Sequence, residues 1–158
     1  MKIENKNYKC FRDLVYQCIK FGSGSDGKIP KTKLAKLVYL SDFLHYYRFL
    51  DPISGLEYRR LPQGPVAIQF FDILKEDKNI LVENKGRAQL ISLKKALNKS
   101  TLTKKAKGIV EIVCQKWKNF KTQEIVNFTH NQIPWKVSDE GEKIPYTLIN
   151  LEEPNNVY

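Results

Sequence analysis

Residues Lys33 to Leu74 read KLAKLVYLSDFLHYYRFLDPISGLEYRRLPQGPVAIQFFDIL, the most apolar and aromatic part of the chain. Leu34, Leu37, Val38, Leu40, Phe43, Leu44, Tyr47 and Leu50 cover more than half the circumference of a helix expected from Pro30 or Thr32 to about Leu50. A helix apolar nearly all round belongs at the centre of a fold. Thr32 is placed to cap its start by accepting a backbone N–H. Asp51-Pro52-Ile53-Ser54-Gly55 is turn chemistry, and Glu57 to Leu61 alternates weakly as a short strand. Pro62-Gln63-Gly64-Pro65 makes a corner. Pro65 fits the first turn of a next helix carrying Val66, Ile68, Phe70, Phe71 and Leu74, where its missing N–H costs nothing.

Upstream, Phe11, Leu14, Val15, Cys18 and Ile19 recur at helical spacing, so a first helix is expected over about Asn7 to Phe21. Gly22 to Gly27 is a flexible stop. Its Gly22-x-Gly24 has no Gly-Lys-Ser/Thr ending and no preceding strand, so a phosphate loop is rejected. Downstream, Asp77 to Lys94 reads as a β-hairpin with its turn at Asn84 to Arg87. It is either a wing with Lys85 and Arg87 at its tip or, as base rates favour, cover for a core edge. Thr101 to Phe120 carries the stripe Ala106, Ile109, Val110, Val113, Trp117 and Phe120, with lysines opposite. Thr122 can cap a short helix that Pro134-Trp135 ends. An acidic turn over Asp139 to Glu142 and a short element over Pro145 to Leu151 follow, and Glu152 to Tyr158 is expected to fray. The fold class is therefore α+β: a single compact, mostly helical domain over residues 1–158, with a small β-hairpin or sheet element and no second domain.

Composition narrows the class. The hydrophobic fraction of 42% suffices for one core, and no apolar run approaches a membrane helix. MKIENKNYKC has no apolar signal region. Cys10, Cys18 and Cys114 are odd in number and sit among apolar residues, where free thiols are ordinary, so a cytoplasmic location is expected. The net charge is +10, but Lys94 to Lys121 holds nine lysines against Glu111 alone, leaving only +2 for the rest. Such a block suits an acidic partner, protein or nucleic acid. It equally suits the solvated face of a helix, the commoner case for lysine.

Little in the chain reads as catalytic apparatus. Asp42 and His45 are three apart on the central helix and can touch. They form either an acid–base pair or, more in keeping with the absence of a nucleophile or metal set, a hydrogen-bonded pair that orients the helix. His45 and His130 have no ligand spacing to any cysteine, so no metal site and no cofactor are expected. A histidine near Trp135 is more often a packing residue. The expectation is a protein without enzyme activity.

The ordered residues Lys36, Leu37, Tyr39, Asp42, Phe43, His45 and Tyr46, then Ile53, Ser54, Gly55 and Tyr58, then Leu61, Pro62, Gly64, Pro65 and Val66 resemble the Panacea domain family of SocA-like antitoxins and phage-associated GepA-like proteins. A weaker match continues through Thr129, His130, Pro134, Trp135, Gly141, Glu142 and Ile144. The resemblance implies an antitoxin, a protein-binding module that neutralises a cognate toxin by direct contact, in the SocA-like branch also as an adaptor to a protease. Tyr46, Tyr58, Arg59, Arg60 and Gln63 would suit its recognition patch, because Arg and Tyr anchor interfaces. Their other reading is packing at the strand and corner. The alternative function is a small basic nucleic-acid-binding protein using Lys94 to Lys121 and the hairpin tip.

Overall fold

The computed structural model describes residues 5–158; the first four residues of the N-terminal stretch read above lie outside them. The fold is α+β and mostly helical. Helix α1 spans Lys6–Gly22, and the two-residue strand β1, Ile29–Pro30, leads into α2, Lys31–Phe49. Every residue from Lys33 to His45 is buried, so α2 is the central helix its apolar circumference predicts. Its last turn departs from that pattern: Leu50 is a left-handed C-cap at φ 55° and is largely exposed. Thr32 does not cap α2. Pro30 holds the cap position without a side-chain bond, and the Thr32 hydroxyl instead donates to Gln63 Oε1 at 3.2 Å.

The corner after α2 is a hairpin. Strand β2, Tyr58–Leu61, pairs antiparallel with β3, Gly64–Ala67, so only Pro62 and Gln63 form the turn. Pro65 therefore lies in a strand and not in the first turn of a helix. It opposes Arg60 on β3, an edge strand, where the missing N–H is tolerated. Helix α3, Gln69–Glu76, starts only beyond it. The second hairpin joins β4, Ile80–Lys85, to β5, Ala88–Leu93, through Gly86 and Arg87, a tighter turn than the sequence suggested. Gly86 supplies the positive φ of 61° that this two-residue loop needs. β5 also pairs with β1, and Ile91 is buried while β4 beyond Ile80 is exposed, so this sheet covers a core edge.

Helix α4, Lys104–Trp117, buries Ala106, Ile109, Val110, Val113 and Trp117 as its stripe requires, but Phe120 lies past its end and is 44% exposed. Helix α5 spans Thr122–His130. Thr122 is its first residue and not its cap; Glu124 accepts from Lys121 N at 2.6 Å. Proline does not end α5. Asn131 does, and Pro134 sits in the first turn of the short α6, Ile133–Lys136. Strand β6, Lys143–Ile144, then pairs with β2, so the second sheet runs β3-β2-β6.

The C-terminal segment is ordered into the core, against the expectation of fraying. Val157 is buried, and Gln132 Nε2 donates to the carbonyls of Asn156 at 2.7 Å and Val157 at 3.0 Å. Lys116 also donates to the Tyr158 carbonyl. Seven short, mostly polar residues give no periodicity to read; what holds them is an amide buried on another element. One hydrophobic cluster thus reaches from Phe11 to Val157. Removing residues 154–158 is expected to lower unfolding stability by roughly 2–4 kcal/mol, read from urea denaturation, because it vacates the Val157 site and strands the Gln132 amide.

Candidate functional site

The motif residues converge on two places, a buried carboxylate and the corner. Asp42, fully buried on α2, accepts from Ser54 N at 2.8 Å, from the Ser54 hydroxyl and from Tyr58 Oη at 2.9 Å. Tyr146 Oη lies 3.4 Å away and donates to the Leu56 carbonyl at 2.6 Å. Burial pushes the Asp42 carboxyl above its usual range, and the Ser54 and Tyr58 donors pull the other way. Burial likewise raises the Tyr58 and Tyr146 phenols, with the Asp42 charge adding to it. His45 is not part of this knot. Its Nδ1 meets the Asp51 carbonyl, so the expected Asp42–His45 pair does not form. The chain folds back over α2 between the two contacts, so His45 closes the turn at Asp51 while Asp42 anchors Ser54 and Tyr58 further along.

The corner sits over a lysine. Lys36 is 2% exposed, and its amine donates to the Pro65 carbonyl at 3.2 Å. Burial alone lowers its pKa to about 7. Gly64 is favoured here by its φ of +124°, and a Cβ would also press on the end of the Lys36 side chain. The contrast with Lys33, one turn earlier, is instructive. Lys33 is also buried, but its amine meets the carbonyls of Lys118 at 3.3 Å and Phe120 at 2.6 Å beyond the end of α4. Among the described residues Lys36 finds one carbonyl for its three N–H bonds.

A groove of about 800 Å3 opens at this point, between the corner, the first half of α2, α3 and the β4–β5 tip. Lys36 lies at its base, Gln63 and Gly64 on one side, Phe70 and Phe71 on another, and Arg87 at the hairpin side. Leu61, Gly64 and Val66 line it as well. In the antiparallel register Arg59 opposes Val66 and Leu61 opposes Gly64, so Arg59 shares the hairpin face that borders the groove.

The five patch residues fare differently. Gln63 is exposed at the corner. Arg59 is half-exposed, donating to the Gly141 carbonyl at 3.0 Å and pairing with Glu57 at 2.6 Å. Tyr46 is half-buried beside Tyr146. Tyr58 is buried and has no surface to offer a partner. Arg60 is a structural clamp: it donates to the carbonyls of Trp135 at 3.1 Å and Ser138 at 2.5 Å, with its guanidinium 4.4 Å from the Trp135 ring centre. His130 stacks flat on Trp135, ring centres 4.2 Å apart. Burial lowers the His130 pKa, and the Lys36 and Arg60 charges add to that, against a backbone hydrogen bond at Gln63. The acidic turn joins the same assembly, since Gly141 N donates to the Arg60 carbonyl at 2.7 Å. His130 and Trp135, far along the sequence, thus come to the corner made by Pro62, Gly64 and Pro65. Lys36 is the residue that sequence reasoning left without a role, and its signal was a cation within the apolar circumference of the central helix.

The model of the antitoxin SocA-like, Panacea domain family matches residues 34–136, from within α2 to the end of α6. Comparison with curated proteins and with solved structures finds no match.

The Lys36 amine dictates a pH dependence. An unfolded chain holds this proton up to about 10.5, whereas the folded protein gives it up near 7. The unfolded state binds more protons between those values, so stability rises with pH across that window. His130 titrates below it. At pH 7 the variant Lys36→Met is expected to melt at or above the wild-type temperature. The wild type is expected to gain on it between pH 7 and pH 10, a difference read by paired thermal melts. Asp42→Ala, which strands the Ser54 and Tyr58 donors in the core, is expected to cost at least about 3 kcal/mol in urea denaturation.

Proposed function

The chain belongs to the antitoxin SocA-like, Panacea domain family, and from that premise we propose that it neutralises a cognate toxin protein by direct contact. The observation that carries this reading is the position of the groove. Lys36, Leu61, Pro62, Gly64 and Val66 of the family motif line it, and groups a protein partner can use stand beside them. Phe71, 41% exposed, and the exposed Gln63 both line it, with Arg59 on the hairpin face that carries Leu61 and Val66. An apolar lip with a few polar groups is the usual anatomy of an interface. The frame is held by Asp42 and Arg60, whose bonds are satisfied inside the fold, as a binding surface needs. The proposal includes no catalysis: Asp42 and His45 serve separate structural bonds. Delivery of the captured toxin to a protease is a finer form of the same proposal and requires a surface left free in the complex.

A second reading draws on the exposed lysines Lys94, Lys95, Lys99, Lys104 and Lys105, which nucleic acid could neutralise. Trp117 is buried against Phe120 and Phe128, so it cannot itself serve as the aromatic stacking platform that single strands use.

Co-expression with the product of the adjacent reading frame tests the first reading, scored by rescue of growth and by co-purification. The expected result is rescue and a stable complex. Arg59→Glu combined with Gln63→Glu is expected to weaken that complex at least about tenfold, some 1.4 kcal/mol, with an unchanged urea midpoint. Arg60→Glu is expected to lower the midpoint itself, because it removes the clamp on Trp135 and Ser138. A harmless neighbour that does not co-purify, together with salt-dependent DNA or RNA binding, would reverse the order of the two readings.

A further inference from the structure

The base of the groove is chemically unfinished. An ammonium group carries three N–H donors, and at Lys36 the described residues provide one carbonyl. The nearby charges are of the same sign: Arg60 is turned to the Trp135 and Ser138 carbonyls, and Lys31 and Arg87 stand on the groove walls. Among the described residues that line the groove there is no carboxylate. His130 feels both the Lys36 and the Arg60 charge. A buried cation facing such surroundings costs free energy unless an anion pairs with it. The fold nonetheless accommodates it by making residue 64 a glycine, at a backbone angle that other residues rarely adopt. In a merely structural role an apolar side chain would fill the space at less cost.

We propose that the groove receives an acidic peptide segment of the protein partner, one of whose Asp or Glu carboxylates pairs with Lys36 at the base. Flanking apolar side chains of that segment rest on Phe70 and Phe71. Charge complementarity selects the occupant: three basic residues and no acidic one border a channel whose other walls include Leu61, Pro62 and Val66. Phosphate is the poorer fit, because its oxygens need several converging donors and the base offers a single amine. At about 800 Å3 the groove has room for a peptide segment and not merely for a carboxylate. Pairing leaves Lys36 protonated in the complex, so partner binding takes up a proton near neutral pH and weakens as pH rises towards 10. The inference rests on the protein-binding reading above and states where and by what chemistry the partner enters.

Two measurements separate this inference from that reading. A phage-displayed dodecapeptide library is panned against wild-type protein and against Lys36→Met, whose fold is checked by thermal melting. The expected result is enrichment of Asp or Glu flanked by Leu, Ile, Phe or Val on the wild type, with loss of that enrichment on Lys36→Met. A selected peptide is expected to lose about 30-fold in affinity when its acid is changed to the amide, and to gain nothing from acid over amide on Lys36→Met. No acidic enrichment, or the same enrichment on both proteins, overturns the proposal. So does Lys36-dependent binding of inorganic phosphate without any peptide. The second measurement is the affinity of Lys36→Met for the neighbouring gene product, expected to fall at least about tenfold. If the wild type binds that product and Lys36→Met binds it equally, the groove assignment fails and the antitoxin reading stands. If the wild type does not bind it, the antitoxin reading fails and the library result alone decides the groove.

Discussion

The carboxylate of Asp42 is the interaction on which the remaining structure depends. It sits in the middle of α2 with no solvent, and a charge there is tolerable only if donors surround it. Ser54 supplies two and Tyr58 a third, so the turn after α2 and the first residue of β2 are tied to the same point of the helix. Tyr146 approaches from the C-terminal third and fastens the Leu56 carbonyl. Around this knot Tyr39, Phe43, Tyr58 and Tyr146 pack edge to face or tilted, at centre distances of 4.5 to 6.0 Å. The aromatic density of the central stretch is thus the apolar shell of one buried charge.

From that anchor the β2–β3 hairpin projects back along α2 toward its N-terminus, and the corner comes to rest over Lys36. Two turns of helix separate an acid that the fold satisfies from a base that it leaves largely unsatisfied. Six residues is too far for the two to pair. Each therefore has to be met from outside the helix, the acid by hydroxyls and an amide of this chain and the base by one carbonyl. The asymmetry sets the satisfied middle of α2 apart from its first half, which borders the groove. Arg60 extends the rigid part, because its backbone continues the sheet to Gly141 and Glu142 while its side chain grips Trp135.

The basic segment carries less of the architecture than its charge suggests. Its lysines at 94, 95, 99, 104 and 105 face solvent, the ordinary place for lysine. Lys116 is the exception, lying over Trp117, Phe128 and Tyr158 and holding the last carbonyl of the chain. The strongest charge signal in the sequence and the chemically tense site are in different places. Net charge counts groups and does not see whether water reaches them.

The sequence by itself determined the helices with clean periodicity, the centrality of α2, the second hairpin and the order of the family motif. Local patterns report burial when a whole face repeats, as in α1 and α4, or when the circumference is apolar almost throughout, as in α2. It also pointed to Asp42 and His45, but their spacing could not say that each would find its partner elsewhere. Pro65 was misleading because a proline suits a helix start and an edge strand equally, and which applies depends on whether β2 has a neighbour on that side. The ordered C-terminus, the burial of Tyr58, the clamp role of Arg60 and the groove over Lys36 were decided only by the tertiary structure. Each depends on residues more than 15 positions apart meeting across the core. No local pattern encodes such a meeting, because its free energy comes from contacts that exist only after the chain has closed.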